Sequence, residues 1–395
     1  MAVNGIYDVV IVGGGMYGAS LSWWLSRSPA FGGRVLVVER DPSYATAATS
    51  HTNSCIRQQF SNPVNIAISR FGAEFIRNFR GFMDDAEAPD IVLQSFGYLY
   101  LAATSGFAET LQVAQKQQSA LGAGTLHLTP DDLAQRFPFL AVDDIIAGNY
   151  NPVDEGYFDG GTIFDWFRKA GRRNGVTYLA DEVVGITQER GRVTAVTLAS
   201  GQSVSCGVLV NAAGTRGPAL AQMAGLDLPI EPRKRYTYIF EAEKPLAQDL
   251  PLVIDPCGVH MRTDGRYYLA GGPPDDDVAV DVDDFTADHS LWEEKFWPAI
   301  ATRVPQFEAI RVVNMWVGHY DYNTVDQNAI IGPHPELANF LFLNGFSGHG
   351  LQQSPALGRG LAEYITFGAY RSINLEPFAV DRILRGETFT ETAVI

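Results

Sequence analysis

The ten residues Val9 to Gly18, VVIVGGGMYG, constrain the fold more than any other stretch of this chain. An apolar strand runs straight into a GxGxxG turn at Gly13, Gly15 and Gly18, and the next strand, Arg34 to Glu39 (RVLVVE), ends on an acid. Gly13 permits the tight turn, Gly15 lets the backbone approach a pyrophosphate, and Gly18 lets helix pack on strand. The positive end of the helix that begins at Met16 and Tyr17 then faces the phosphates. Glu39 is placed to take the ribose hydroxyls. A GxGxxG alone is a weak sign, but strand, turn, helix, strand and terminal acid in this order mark a dinucleotide site.

Composition narrows what that site serves. With 395 residues, of which 46% are apolar and 19% charged, the chain has room for about two globular domains. A formal net charge of −16 argues against nucleic acid and anionic membranes as partners, because phosphate contacts depend on Lys and Arg. Cys55, Cys206 and Cys257 are few and widely spaced, which suggests neither a disulfide framework nor a metal site and fits a reducing cytoplasm. No run of 18 apolar residues is present, so no membrane span is expected. The acidic run Pro273 to Asp284 (PPDDDVAVDVDD) lacks the ligand order of a calcium loop and reads as a solvated segment.

Along the chain, periodicity predicts helices over Val64 to Phe79, Ser105 to Gly122 and Gly161 to Asn174. Ile91 to Ala102 reads as a strand pair around Gly97, and Val176 to Ala180 as a strand. Cys206 to Gly214 (CGVLVNAAG) is an apolar strand ending in small residues against which a cofactor could lie. Beyond Pro229 the texture changes to short aromatic alternating runs, such as Tyr236 to Glu241 and Arg266 to Ala270, which suggest an antiparallel sheet in a second lobe. Phe340 to Asn344 then feeds a glycine-rich turn, Gly345 to Gly350 (GFSGHG), and a helix from Leu351 to about Phe367.

Two stretches, VVIVGGGMYGAS through VVERD and NGFSGHGLQQSPALGRGLAEYI, resemble the FAD-dependent enzymes of the D-amino-acid oxidase superfamily, in particular the sarcosine oxidase, dimethylglycine dehydrogenase and glycine oxidase branch. The resemblance implies an α/β fold with a discontinuous Rossmann-like FAD-binding domain (1–90, 145–225 and 325–395) and an inserted antiparallel β-rich substrate domain (91–144 and 226–324). By position it implies that Gly13, Gly15, Gly18, Glu39 and Arg40 hold the ADP half of FAD, with Val183 offered to the adenine and Gly214 closing over the nucleotide. Ser50, His51 and Thr52 would lie near the pyrophosphate and flavin. Gly345, at the start of the terminal loop, would also contact the cofactor, and Gly348, His349, Gly350, Leu351 and Gln352 would sit at the flavin pyrimidine edge, where a helix N-terminus stabilises negative charge.

Departures from the family pattern bear on the substrate. Gly318 stands where sarcosine oxidases attach flavin through a Cys, so that thioether is excluded. His51 falls near the histidine that links flavin in dimethylglycine dehydrogenases, and is either such a linkage or a polar loop residue. Gln352 replaces a Lys that helps bind the substrate carboxylate, which makes Arg57 the leading replacement cation, with an interdomain ion pair as the alternative. Tyr320 matches an active-site tyrosine, while Tyr236, Tyr238, His260 and Arg262 come from the lobe that builds the substrate wall. Lys234 is a candidate for the cation that promotes reaction with oxygen.

The chemistry so implied is hydride transfer from the carbon beside a secondary amine of a small molecule to flavin N5, with O2 or an electron-transfer protein as acceptor. Alternatives on the same fold are oxidation of a D-amino acid or 2-hydroxy acid. A subgroup sharing CIRQQFSNP and GFSGHGLQQSP keeps a flavin-stabilised binding or assembly role open. Oligomeric state is not readable from the chain.

Overall fold

The computed structural model describes residues 5–391. Two eight-stranded sheets organise them. In the first, five parallel strands lie side by side in the spatial order Thr177–Ala180, Val35–Glu39, Ile6–Val12, Ser203–Asn211 and Leu337–Asn344. Ile330–His334 closes one edge antiparallel, and a hairpin of Val183–Glu189 with Arg192–Leu198 leans on Ser203–Asn211.

These strands are almost uninterrupted apolar runs because both faces are covered. Val9 and Ile11 pack with Leu21 and Leu25 of the helix Met16–Arg27 and with Leu357 and Leu361 of the helix Gly350–Phe367. Val10 and Val12, pointing the other way, pack with Val193 and Val196 of the hairpin and Leu220 of the helix Gly217–Met223. Three separated parts of the chain thus build one nucleotide-type core.

The second sheet runs Ile310–Asn323, Ile230–Ala242, Tyr267–Gly272, His260–Asp264, Leu252–Ile254, Tyr98–Ala102, Ala147–Asn151 and Leu126–Leu128. All its pairings are antiparallel except Leu252–Ile254 with Tyr98–Ala102. Tyr236, Tyr238, Phe240, Met261, Phe296 and Phe307 form a separate core beneath it. The long strands Ile230–Ala242 and Ile310–Asn323 turn their other face toward the first sheet and supply one wall of the cavity between them.

Two local expectations are corrected. Only Tyr98–Ala102 of the proposed strand pair is a strand; residues 91–97 form an extended loop with one bridge, Gln94 to Tyr157. Gly97 has φ +86°, and a Cβ there would stand 2.5 Å from the Tyr150 ring, so the chain turns where pairing would have continued. Ala147–Asn151 pairs in the second sheet, although residues from 145 onward were expected in the nucleotide domain. The acidic run is a solvent-accessible loop, as expected, and also a strap: Val280 N–H bonds to the Pro232 carbonyl, and its carboxylates meet cations on both lobes.

Candidate active site

One elongated cavity lies between the two lobes, and both glycine motifs reach it. At the opening turn Gly13 has φ +100°, and a Cβ there would lie 2.3 Å from the Ala212 carbonyl oxygen, so the turn sits hard against the end of Ser203–Asn211. A Cβ on Gly18 would fall 1.9 Å from the Gly13 carbonyl, which is the close helix-to-strand approach the motif predicts. Glu39 lines the cavity, its carboxylate accepting the N–H of Gly14 at 2.8 Å and of Asp41 at 2.9 Å. Met16, Tyr17, Arg40, Val183 and Gly214 line the same stretch.

The loop after this turn departs from expectation by one residue. Thr49 accepts the Met16 N–H at 3.0 Å and lines the cavity, with His51 and Thr52, whereas Ser50 is exposed and points outside it. A run of small polar residues with no period carries no signal that would have told Ser50 from Thr49.

The far end of the cavity is built by the C-terminal loop. Gly348 has φ +94°, and a Cβ there would meet the Tyr320 ring at 2.4 Å; a Cβ on Gly350 would meet the Tyr17 ring and hydroxyl within 2.6 Å. Gly348, His349, Gly350, Leu351 and Gln352 all line the cavity where the helix Gly350–Phe367 begins. Gly345 does not: its N–H is taken by the Asp321 carboxylate at 2.9 Å, which also accepts the Tyr17 hydroxyl at 3.2 Å. Gly345 is therefore corrected from cofactor contact to loop anchor. Burial raises the Asp321 carboxyl to about 6 despite those donors.

Arg57 lines the cavity as expected, but its guanidinium is already engaged. It is buried, stacked on Phe60, and donates to the Gln59 carbonyl, the Tyr100 hydroxyl and Nε2 of His349 at 2.7 Å. Its own N–H goes to Oε1 of Gln352 at 2.9 Å. This arginine braces the glycine loop and presents no open fork. Burial and the Arg57 charge hold the His349 ring well below its usual titration range, hence neutral.

The remaining wall comes from the second sheet. Along Ile230–Ala242, Arg235, Tyr236 and Thr237 all border the cavity, with the rings of Tyr236 and Tyr238 packed into the core against Phe296. Tyr236, expected in the site, does line the cavity, with its hydroxyl turned away to accept the Asp288 N–H. Thr237 donates to Oδ1 of Asn53 at 3.2 Å, and Nδ2 of Asn53 donates to Nε2 of His260 at 3.0 Å. Nδ1 of His260 is buried with no partner among the described residues, and burial, then Arg262 and Arg235, pull this ring down to about 4. Arg262 lies behind the wall, bonded to Asp264 and to the Asn53 carbonyl.

Tyr320 and His51 face the cavity. His51 donates from Nδ1 to the Ala47 carbonyl, leaving Nε2 available, and a Cβ on Gly318 would stand 2.8 Å from the His51 Cβ. His319 is tied by Nε2 to the Asp284 carbonyl and stacks on Phe285 at 4.1 Å. Lys234 is removed as an oxygen-activating cation, because its ammonium is spent on Asp284 and the Thr286 carbonyl, outside the cavity lining. Sequence reasoning missed Thr49, Asn53, Arg235 and Asp321. Arg235 alone had a signal, the two-residue period of its strand.

The family described as FAD dependent oxidoreductase matches residues 8–364 of this chain. The chain belongs to that family. A FAD-dependent oxidoreductase domain-containing protein 1 from Xenopus laevis is 37% identical over 423 residues, which covers 98% of this chain and 85% of that protein. Mitochondrial sarcosine dehydrogenase from Homo sapiens is 25% identical, over 91% of this chain and 40% of that protein. The crystal structure of L-proline dehydrogenase from P. horikoshii superposes with a TM-score of 0.84 at 25% identity, over 98% of this chain and all of the other. This FAD-dependent oxidoreductase is an enzyme of the D-amino-acid oxidase class, with FAD as its cofactor. The cavity fits that group: glycines stand where a Cβ would collide at both ends, a helix N-terminus faces in at each, and Glu39 lies at one extremity. Among the described residues no helix is long and apolar enough to cross a membrane.

Proposed function

We propose that this enzyme oxidises the C–N bond of an N-substituted amino acid or related secondary amine, leaving an imine that water splits into an amine and an aldehyde or oxo acid. Bound FAD supplies the acceptor for the hydride at N5. The observation that carries the reading is the buried His260, whose Nε2 is occupied by Nδ2 of Asn53 at 3.0 Å. With that nitrogen occupied and burial lowering the basicity of the ring, it is poorly placed to take the hydroxyl proton of a 2-hydroxy acid. A secondary amine needs only to shed its ammonium proton, and a dry pocket favours that by desolvation.

Other residues have supporting parts. Glu39, Arg40, Val183 and Gly214 would hold the ADP half, and the N-terminus of Gly350–Phe367 would stabilise negative charge at the ring edge. His51, Tyr320, His260 and Gln352 would surround the substrate. Two of the similar proteins are named for sarcosine and L-proline, both N-substituted amino acids, which supports that class. Three free thiols support a reducing compartment such as the cytoplasm. The electrons would pass to O2 or to an electron-transfer acceptor.

Oxygen uptake and dye reduction with sarcosine, dimethylglycine, iminodiacetate, L-proline, D-alanine and 2-hydroxyglutarate test the reading. Turnover of an N-substituted amine is expected. Turnover of the hydroxy acid alone, or of none, rejects it.

A further inference from the structure

An ion pair at the ring end of the cavity has no part in the chemistry above. Arg235 faces the cavity beside Tyr320, with its guanidinium 4.6 Å over that ring, and Tyr320 packs in turn on Gly348. Stacking fixes the plane of the fork next to the ring-edge loop. Both terminal nitrogens of that fork are held by one carboxylate, Asp277, at 2.8 and 3.0 Å. Nε of Arg235 is buried with no acceptor among the described residues. The site therefore holds a planar, buried, bidentate carboxylate receptor filled by a carboxylate of the same chain.

Three features make the occupant exchangeable. Asp277 sits on the irregular strap, residues 273–288, and not on a strand or helix. A second cation waits for it, since Nη1 of Arg233 is 3.6 Å from Asp277 Oδ2, so leaving Arg235 does not leave the acid unpaired. The other ring-end arginine, Arg57, is held by the Gln59 carbonyl, the Tyr100 hydroxyl and His349 of the glycine loop, and could not turn to a ligand without releasing that loop. The neighbours of Arg235 on its face, Thr237 and the neutral His260, add no competing charge.

We propose that Arg235 binds the substrate carboxylate and that Asp277 is an internal carboxylate that fills the fork until the substrate displaces it. The inference rests on the amine-oxidation reading for its substrate class and deepens it: the substrate is an amino acid, and a simple amine of the same shape is selected against. Displacement also frees the strap from the wall of the cavity at the moment the site fills.

Tetrahydrofuran-2-carboxylate tests this without turnover, because an ether oxygen stands where proline carries its nitrogen. Titrated into the holoenzyme and followed by the flavin spectrum, it is expected to bind the unaltered protein. Arg235→Met is expected to weaken binding roughly 10- to 100-fold, with Arg235→Lys between the two. Asp277→Asn is expected to tighten binding roughly twofold to fivefold by removing the competitor. Flavin content per chain shows whether each variant is folded, and if Arg235→Met loses its flavin the Asp277→Asn result decides. No binding by the unaltered protein, unchanged affinity in Arg235→Met, or no tightening in Asp277→Asn overturns the proposal. The probe is not oxidised, so these outcomes stand apart from success or failure of amine turnover.

Discussion

Gly348 shows how little freedom single residues have at the ring end. Its φ of +94° is unfavourable for any side chain, and the Tyr320 ring fills the space a Cβ would need. Gly348→Ala is expected to add about 1–3 kcal/mol of backbone strain before any clash, and to weaken FAD roughly tenfold or more, read by reconstituting the apoprotein. Glu155 gives a prediction in pH. Its carboxylate accepts the N–H groups of Gln58 and Gln59 and the side-chain amides of Gln59 and Asn151, yet burial raises it to about 7. The folded protein thus keeps a proton that the unfolded chain, titrating near 4.5, has already lost, so stability from this group grows as pH falls from above 7 toward 4.5. Relative to Glu155→Gln, the native protein is expected to gain on the order of 3 kcal/mol over that range, measured by urea unfolding at about pH 5 and about pH 8. Residues whose role depends on local spacing, such as Gly13, Gly15, Gly18 and Glu39, were legible in the sequence. Gly345 was misread, and the orientation of the polar groups of Arg57 and Tyr236, which do line the cavity, was not legible, because their partners Asp321, His349 and Phe296 lie on other elements and decide which way each group points.

Among elements, the helices Met16–Arg27 and Gly350–Phe367 set the distance between the two glycine motifs. They touch at glycine and serine: a Cβ on Gly358 would stand 2.3 Å from Ser20 Oγ and 3.0 Å from the Leu21 nitrogen. Ser20 also donates to the Ser354 carbonyl and Trp24 to that of Pro355, which fixes the pair. Gly358→Ala is expected to cost about 1–3 kcal/mol by overpacking, seen as a lower thermal midpoint of both apoprotein and holoenzyme. The long apolar strands and amphipathic helices were readable because their signal is continuous along the chain. Strands of three to five residues, Leu252–Ile254, Leu126–Leu128 and Ala147–Asn151, were not, since their pairing comes from distant partners and their length carries no period.

At the scale of the whole molecule, the strap joins the lobes through charge. Asp283 meets Arg40 and Arg216 of the nucleotide lobe, while Asp284 and Asp277 meet Lys234 and Arg235 of the other. These pairs are partly exposed, so salt should weaken them. Asp283→Asn is expected to speed FAD release roughly twofold to fivefold at low salt, with the difference fading as salt rises; dissociation rates followed by flavin fluorescence check this. The proposed substrate wall is likewise a property of the whole, joining Asn53 to His260 across 207 residues of sequence. Its consequence is tested most directly by mixing the oxidised holoenzyme anaerobically with sarcosine or L-proline and following the yellow flavin band. Repeating this with substrate deuterated at the carbon beside nitrogen makes the bond-breaking step visible. Bleaching that deuterium slows several-fold is the expected result; a band left unchanged by every N-substituted amino acid tried would contradict the account.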